Sequence, residues 1–139
     1  MITMLCLTTS KAYAEGAGIE WETLNQEVLE LHSTGQYGHA VMIAEAALKV
    51  AEQNVGRNHP DVATSLNNLA SLYNDQGDYT KAEPLYKRSL AIREKALGSD
   101  HPDVAISLNN LAMFYINQGD YAKGRSFYER LLVIKEKTL

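Results

Sequence analysis

The sequence predicts an all-α solenoid built from three antiparallel helix pairs. Three observations lead to it: a block of residues recurs at a fixed offset, apolar residues within the block are three and four positions apart, and proline and glycine stand where helices would begin and end. The recurrence is plain in the letters. The segment HPDVA at 59–63 returns at 101–105, which is 42 residues later.

The 42-residue offset extends along the block and upstream of it. SLNNLA starts at Ser65 and again at Ser107, and QGDY starts at Gln76 and again at Gln118. A diverged upstream copy keeps six positions of the pattern: Leu24, Leu31, Gly35, Tyr37, Ala40 and Leu48. The predicted repeat units are 17–58, 59–100 and 101–139, after a leader at 1–16.

Each unit is predicted to form a helical hairpin. In the second unit, Val62, Leu66, Leu69 and Tyr73 share one face of a first helix because they are spaced by three and four residues. Pro60 suits the first turn of that helix, where a missing N–H costs no hydrogen bond. We therefore expect this face to carry the packing of the hairpin.

The second helix of the unit has its own start and stop signals. Gly77 supplies the turn, Asp78 is a good N-cap, and Gly98 ends the helix. Pro84 lies just beyond the first turn, which predicts a mild bend. Small residues are predicted where the paired helices cross most closely: Ala70, Ala82, Ala112 and Gly124.

Composition excludes several classes of protein. The chain has a formal net charge of −4, 45% apolar residues and 22% charged residues, so it has globular composition and no basic field for nucleic acid. A single cysteine, Cys6, excludes a disulfide within the chain and any CxxC metal or redox motif. No apolar run is long enough to span a membrane.

The leader has two interpretations that the residues leave open. Ala12-Tyr13-Ala14 follows a short apolar run and resembles a signal-peptidase cleavage site, which would place the protein in the periplasm or outside the cell. The run is short and no Lys or Arg precedes it. The alternative is a leader that is not cleaved, with the protein in the cytoplasm.

The sequence offers no catalytic residues, no cofactor motif and no metal site. There is no phosphate-binding glycine loop and no Cys/His or GxSxG nucleophile arrangement. The four histidines do not form an HxxxH or HExxH pair: His32, His39, His59 and His101. The two HPD tripeptides are predicted to be helix starts, with proline in the first turn and aspartate at the positive end of the dipole.

Eight positions of the second unit resemble the tetratricopeptide repeat consensus: Leu66, Leu69, Ala70, Tyr73, Gly77, Tyr79, Ala82 and Tyr86. The 42-residue spacing, HPDVA and SLNNLA are similar to the kinesin-light-chain subtype, which is also widespread in bacterial proteins. The resemblance runs from about Ile19 to Leu139. It implies a right-handed superhelix whose first helices line a concave groove, and a role in binding proteins or peptides. The first unit departs from the pattern at five positions: Trp21, Glu27, His32, Met42 and Ala44.

Residues off the packing face of the first helices are expected to form the floor of that groove. The predicted peptide-binding residues are Asn25, Asn67, Asn68, Ser71, Asn74, Asn109, Asn110 and Met113. Asparagine is a poor helix former, so its recurrence at one matching position needs an explanation. An amide both donates and accepts, and it could therefore contact a peptide backbone or bridge neighbouring helices.

The resemblance also indicates what the groove does not bind. Family members that hold a chaperone's C-terminal carboxylate use a Lys or Arg spaced four residues from an Asn. Leu29, Ser71 and Met113 occupy that spacing here, and none of them is cationic. We therefore expect a neutral peptide that is recognised through its backbone.

A competing hypothesis concerns the last unit. The chain stops one residue before the glycine expected there and has no polar capping helix, so part of an apolar face is expected to lie open. The residues expected in that face are Tyr115, Phe127, Tyr128, Leu131 and Ile134. The chain would then be a structural piece of a longer array, or would self-associate through its last repeat.

Overall fold

The computed structural model describes residues 2–138, with side chains from residue 18 onward, and this part of the chain forms six helices. The helices are α1 (Ile2–Ser33), α2 (Tyr37–Val55), α3 (Pro60–Asp75), α4 (Tyr79–Leu97), α5 (Pro102–Asn117) and α6 (Tyr121–Thr138). They pair as α1–α2, α3–α4 and α5–α6, and successive pairs meet through α2 with α3 and α4 with α5. The three hairpins form a right-handed α-solenoid, which confirms the predicted fold class.

Both HPD tripeptides are helix starts, as predicted. The His59 Nδ1 atom accepts a hydrogen bond from the backbone N–H of Asp61 at 3.1 Å, and Pro60 is the first helical residue of α3. His101 makes the same bond to the N–H of Asp103 at 3.0 Å before α5. The histidines therefore cap helices, and this satisfies N–H groups that the first turn leaves without a backbone partner.

The turn inside the second hairpin also follows the sequence signals. Gly77 has a φ angle of +79°, a left-handed conformation that side chains disfavour. The N–H of Asp78 bonds back to the carbonyl of Tyr73 at 2.8 Å, and the Asp78 carboxylate accepts from the N–H of Lys81 at 3.4 Å. Pro84 lies within α4, which continues without a break to Leu97.

Small residues allow the helices of each hairpin to cross closely. Ala70, Ala82 and Ala112 are fully buried. At Gly124 the space is smaller still, because a Cβ atom there would lie 2.5 Å from the Cγ1 atom of Ile116. Glycine lowers the helix propensity at this position, but it leaves room for the larger Ile116 side chain where the helices cross.

The expected open face at the C-terminal end contains only some of the residues predicted for it, and of these Phe127 and Tyr128 are half-buried. Tyr115 is buried between α5 and α6, so the prediction for it is wrong, whereas Leu131 and Ile134 are mostly buried but line an open cleft between these helices. Leu132 and Val133, one and two residues after Leu131, are large apolar residues exposed in the C-terminal half of α6. Successive helical residues point about 100° apart, so the register of α6 decides which leucine faces solvent.

The predicted signal cleavage site at 12–14 and the single cysteine lie among residues whose side chains are outside the described part. Cleavage of the leader at this site therefore stays a prediction. None of the helices in residues 2–138 is both long and apolar enough to cross a bilayer.

Candidate functional site on the first helices

The first helices of successive hairpins are joined by bonds between asparagine side chains. The Asn110 Nδ2 atom donates to the Asn67 Oδ1 atom at 2.8 Å, and the Asn68 Nδ2 atom donates to the Asn25 Oδ1 atom at 3.5 Å. The two bonds are equivalent by repeat position. The acceptors, Asn25 and Asn67, are 42 residues apart, and so are the donors, Asn68 and Asn110. We call this pair of bonds the asparagine ladder. The ladder bridges neighbouring first helices, which is one of the two roles that the sequence left open for the asparagines.

The ladder uses only part of each amide. The Oδ1 atom of Asn67 accepts from Asn110, while the two Nδ2 protons of Asn67 take no part in the ladder. Farther along α3, the Oδ1 atom of Asn74 is buried and has no hydrogen-bond partner within the described residues. Hydrogen-bonding capacity therefore remains on this row of amides.

The other predicted floor residues lie on the same helices with different degrees of exposure. Ser71 is half-buried, and Asn109 and Met113 are exposed. Three large apolar side chains on the first helices are also well exposed: Leu29 at 53%, Ile106 at 50% and Met113 at 43%. The floor thus alternates amides with apolar side chains and becomes more apolar toward its C-terminal end.

A histidine near the end of α1 is hydrogen-bonded to the next hairpin. The His32 Nε2 atom lies 2.5 Å from the Asp75 Oδ2 atom, which joins the end of α1 to the end of α3. Among the side chains from residue 18 to 138, no three His, Cys, Asp or Glu residues converge as metal ligands. His32 therefore links two hairpins.

Comparison with known proteins identifies the family of this chain. The chain matches the tetratricopeptide repeat family over residues 28–95 and again over residues 62–137. The chain belongs to the tetratricopeptide repeat family. Its repeats are of the kinesin-light-chain-like subtype, and tetratricopeptide repeats are generally non-catalytic scaffolds for protein interaction. No curated protein matches the chain.

Solved structures agree with this assignment. BtubC (BKLC) from P. vanneervenii is 26% identical, with a TM-score of 0.76 over 87% of this chain and 46% of that one. A putative kinesin light chain of Podospora anserina with nearly identical TPR-like repeats is 26% identical, with a TM-score of 0.77 over 85% of this chain and 56% of that one. The chain therefore spans about half the length of these two relatives.

A third structure supports the fold alone. The TPR domain of Arabidopsis FLU is 18% identical, with a TM-score of 0.74, and the match covers 87% of this chain and 98% of that domain. A solenoid of this size therefore also occurs as a domain whose sequence is only distantly similar.

The sequence reasoning missed one class of junction residue. A serine of each later tetratricopeptide hairpin accepts a hydrogen bond from the hairpin before it: Ser65 accepts from the Trp21 Nε1 atom at 2.8 Å, and Ser107 accepts from an Arg93 guanidinium nitrogen at 2.9 Å. Burial lowers the pKa of Arg93, whose guanidinium also bonds to the Asp103 carbonyl at 3.4 Å. The recurring serine at the start of SLNNLA was the available signal.

Tyrosines form a second set of junction bonds. The Tyr73 hydroxyl donates to the Glu45 Oε1 atom at 2.8 Å, and the Tyr115 hydroxyl donates to the Glu83 Oε1 atom at 2.5 Å. Burial, and then the hydrogen bond to Glu45, raise the pKa of Tyr73 to about 12. These bonds fix the hairpins relative to one another and hold the groove floor in place.

Proposed function

We propose that the chain binds an extended, neutral peptide segment of a partner protein in the concave groove lined by α1, α3 and α5. The observation that carries this proposal is the exposure of Leu29, Ile106 and Met113 beside the row of asparagines. Ile106 and Met113 lie seven residues apart on one face of α5, and proteins rarely keep such neighbouring apolar side chains in water unless they bind something there. These side chains would accept apolar residues of the peptide.

The asparagines would read the peptide backbone. Asn67 retains its amide protons after the ladder bond, and the exposed Asn109 amide offers both a donor and an acceptor. Asn25, Asn68 and Asn110 are held by the ladder, so they would contact the peptide less and mainly orient their neighbours. Side chains that are already ordered lose less entropy on binding, which favours affinity.

The charge of the floor limits the kind of peptide. Leu29, Ser71 and Met113 stand where a carboxylate clamp would need a cation. Glu22 lies at the N-terminal end of the floor and is exposed. A peptide that ends in a carboxylate would therefore find no matching charge, whereas an internal, uncharged segment would meet amides and apolar side chains.

The test uses a peptide selected from a random library against the intact chain, with its affinity then measured by fluorescence anisotropy. Met113→Glu is expected to weaken binding by at least about tenfold, because a charge would replace an apolar contact. Met42→Glu is the matched control, since Met42 is 67% exposed on α2, outside the groove. It should change the affinity by less than about twofold.

A second pair of variants tests the amides. Asn67→Ala with Asn109→Ala should weaken the same peptide, whereas Asn54→Ala with Asn58→Ala removes two exposed asparagines that are not on a first helix and should not. Circular dichroism confirms that each variant is folded. Equal affinity for the groove variants and their controls would rule out the groove as the site.

A second candidate function is purely structural. It is favoured by Leu132 and Val133, which are exposed side by side near the end of α6. In this alternative the chain assembles through its last hairpin and binds no peptide. Sedimentation analysis over a range of protein concentrations tests the self-associating form, because a monomer at every concentration would exclude it.

A further inference from the structure

The two junctions between hairpins are filled differently at one repeat position. We call the junction of the first and second hairpins the first junction, and that of the second and third hairpins the second junction. Arg93 of α4 lies in the second junction and is only 6% exposed. Ala51 of α2 occupies the same repeat position in the first junction. The first junction therefore has no side chain of its own where the second buries a guanidinium group.

The contacts of Arg93 show what this position offers to a guanidinium group. Its Nη1 atom donates to the Ser107 Oγ atom at 2.9 Å and to the Asp103 carbonyl at 3.4 Å. Its Nη2 atom donates to the Thr64 Oγ1 atom at 3.4 Å. Burial lowers the pKa of Arg93, and the nearby Asp103 carboxylate acts in the opposite direction. The second junction thus holds a cation with neutral oxygens and one carboxylate.

The first junction keeps the main acceptors of this arrangement. Ser65 occupies the repeat position of Ser107, and Asp61 occupies that of Asp103. Each of these aspartates lies in the first turn of its helix, α3 or α5, after a histidine cap. The acceptors are therefore conserved between the two junctions of this chain, whereas the donor is not.

The carboxylate of Asp61 is left without the cation that its counterpart has. His59 lies 3.6 Å from it, but the His59 Nδ1 atom accepts the N–H of Asp61 and so has no proton of its own to donate. Arg57 in the preceding loop extends to Glu52 instead. Among the described side chains, no lysine or arginine pairs with Asp61. A cation supplied from outside would meet an unmatched negative charge here.

A cavity of about 230 Å³ lies at this place in the first junction. Its lining includes Trp21, Ala51, Val55 and Asp61. A water molecule occupies ~30 Å³ in the liquid, so the cavity has room for a group of several heavy atoms. The Trp21 Nε1 atom donates to the Ser65 Oγ atom at 2.8 Å, which fixes the indole ring as one wall.

We propose that this cavity binds the guanidinium group of an arginine side chain from a partner protein. The indole ring of Trp21 offers a face on which a planar cation stacks, and the Asp61 carboxylate accepts its N–H groups. Ala51 and Val55 contact the methylene stem. The site uses none of the residues of the groove floor, so it stands or falls independently of peptide binding in the groove.

The only tryptophan of the chain reports on this site directly. Trp21 emission is measured while the intact chain is titrated with the peptide Ac-Gly-Arg-Gly-NH2 at constant ionic strength. The titration extends to about 20 mM, because a single side chain contributes few contacts. A saturable change in emission is expected. The peptide with citrulline in place of arginine keeps the shape without the charge and should bind at least about tenfold more weakly.

A third peptide, with lysine in place of arginine, separates a guanidinium site from a general attraction for cations. An ammonium group is compact and strongly hydrated, and it stacks less well on an aromatic ring. The lysine peptide should therefore bind at least about threefold more weakly than the arginine peptide. Equal affinities for these two peptides would overturn the assignment to a guanidinium group.

Variants of the chain test the contacts. Asp61→Asn keeps the size of the side chain but removes its charge, and it should weaken the arginine peptide at least about tenfold. Asp103→Asn is the matched control, because Arg93 already fills the second junction, and it should change the affinity by less than about twofold. Ala51→Arg supplies a guanidinium group from the chain itself and should abolish binding.

Circular dichroism confirms that each variant is folded. If Ala51→Arg does not fold, the comparison of Asp61→Asn with Asp103→Asn still decides the question. The proposal is overturned if the arginine peptide causes no saturable change in Trp21 emission, if the citrulline peptide binds equally well, or if the two aspartate variants have equal effects.

Discussion

The two ends of the solenoid differ in how they fill the repeat positions that, inside the stack, face a neighbouring hairpin. At the N-terminal end, α1 carries Glu20, Glu27 and Glu30 at positions where α3 buries apolar residues against the preceding hairpin. At the C-terminal end, Leu132 keeps the leucine of Leu90 although water surrounds it. A repeat position therefore needs an apolar residue only where a neighbouring hairpin covers it.

Hydrogen-bonding positions differ between the ends in the same manner. Tyr73 and Tyr115 donate to glutamates on the preceding hairpin, and the first unit has Leu31 at that position. No hairpin precedes α1 within the described residues, so a hydroxyl there would find no such acceptor. In contrast, Asn109 at the other end retains the amide of an inner hairpin.

The largest loss of stability is expected when a buried leucine is replaced by the glutamate that the first unit has at the same repeat position. Leu111→Glu would place a carboxylate at a fully buried position of the central cluster. We expect it to destabilise the fold by at least ~3 kcal/mol, from lost apolar burial and the desolvation of a charge. Urea unfolding measures the loss.

The reverse exchange, Glu27→Leu, is the matched control, because residue 27 occupies the position of residue 111 in the first unit. Its side chain is half-buried and no preceding hairpin packs on it within the described residues, so the free energy of unfolding should change by no more than ~0.5 kcal/mol. Similar losses for both exchanges would show that the side chain at residue 27 is packed as tightly as that of Leu111.

Smaller changes in stability are expected from alanine substitutions in the asparagine ladder, and they should differ between Asn67 and Asn109. Asn67→Ala leaves the half-buried Asn110 amide without its acceptor and should cost ~1 kcal/mol. Asn109→Ala removes no rung and replaces a weak helix former by alanine, so it should be neutral or stabilising by up to ~0.5 kcal/mol. Thermal and urea unfolding of the two single variants decide this, and destabilisation of equal size would contradict the ladder.

The smallest effect concerns the tyrosine bonds between hairpins. Tyr73 has a pKa of about 12 in the fold, above the ordinary value near 10, because of burial and the Glu45 carboxylate. A raised pKa means that the fold favours the protonated phenol. This contribution is complete below pH ~10 and is lost as the pH rises through the folded value.

Absorbance titration of the phenolates measures this pKa. Tyr73→Phe should remove the phenol that titrates at about 12, and Glu45→Gln should lower its pKa toward the ordinary value without reaching it, because burial remains. A Tyr73 pKa near 10 in the wild-type chain would mean that the bond to Glu45 is not formed in solution.

Much of the architecture was readable from local signals. The 42-residue period, the HPD helix starts, the glycine turns and the small residues at the crossings depend on backbone geometry within one hairpin, and each of these is present in the fold. The groove residues followed from helical periodicity and from the family resemblance, and their role in binding a peptide stays a proposal.

The sequence by itself determined the helices, their pairing and the family, because these depend on periodicity and on contacts between residues close in the chain. Only the tertiary structure decided which leucine of α6 faces water, that Arg93 and Trp21 reach serines of the following hairpin, and that asparagines bond across repeats. The physical reason is that these contacts join side chains on different hairpins. Their geometry is set by how one hairpin rests on the next, which the pattern within a single repeat does not contain.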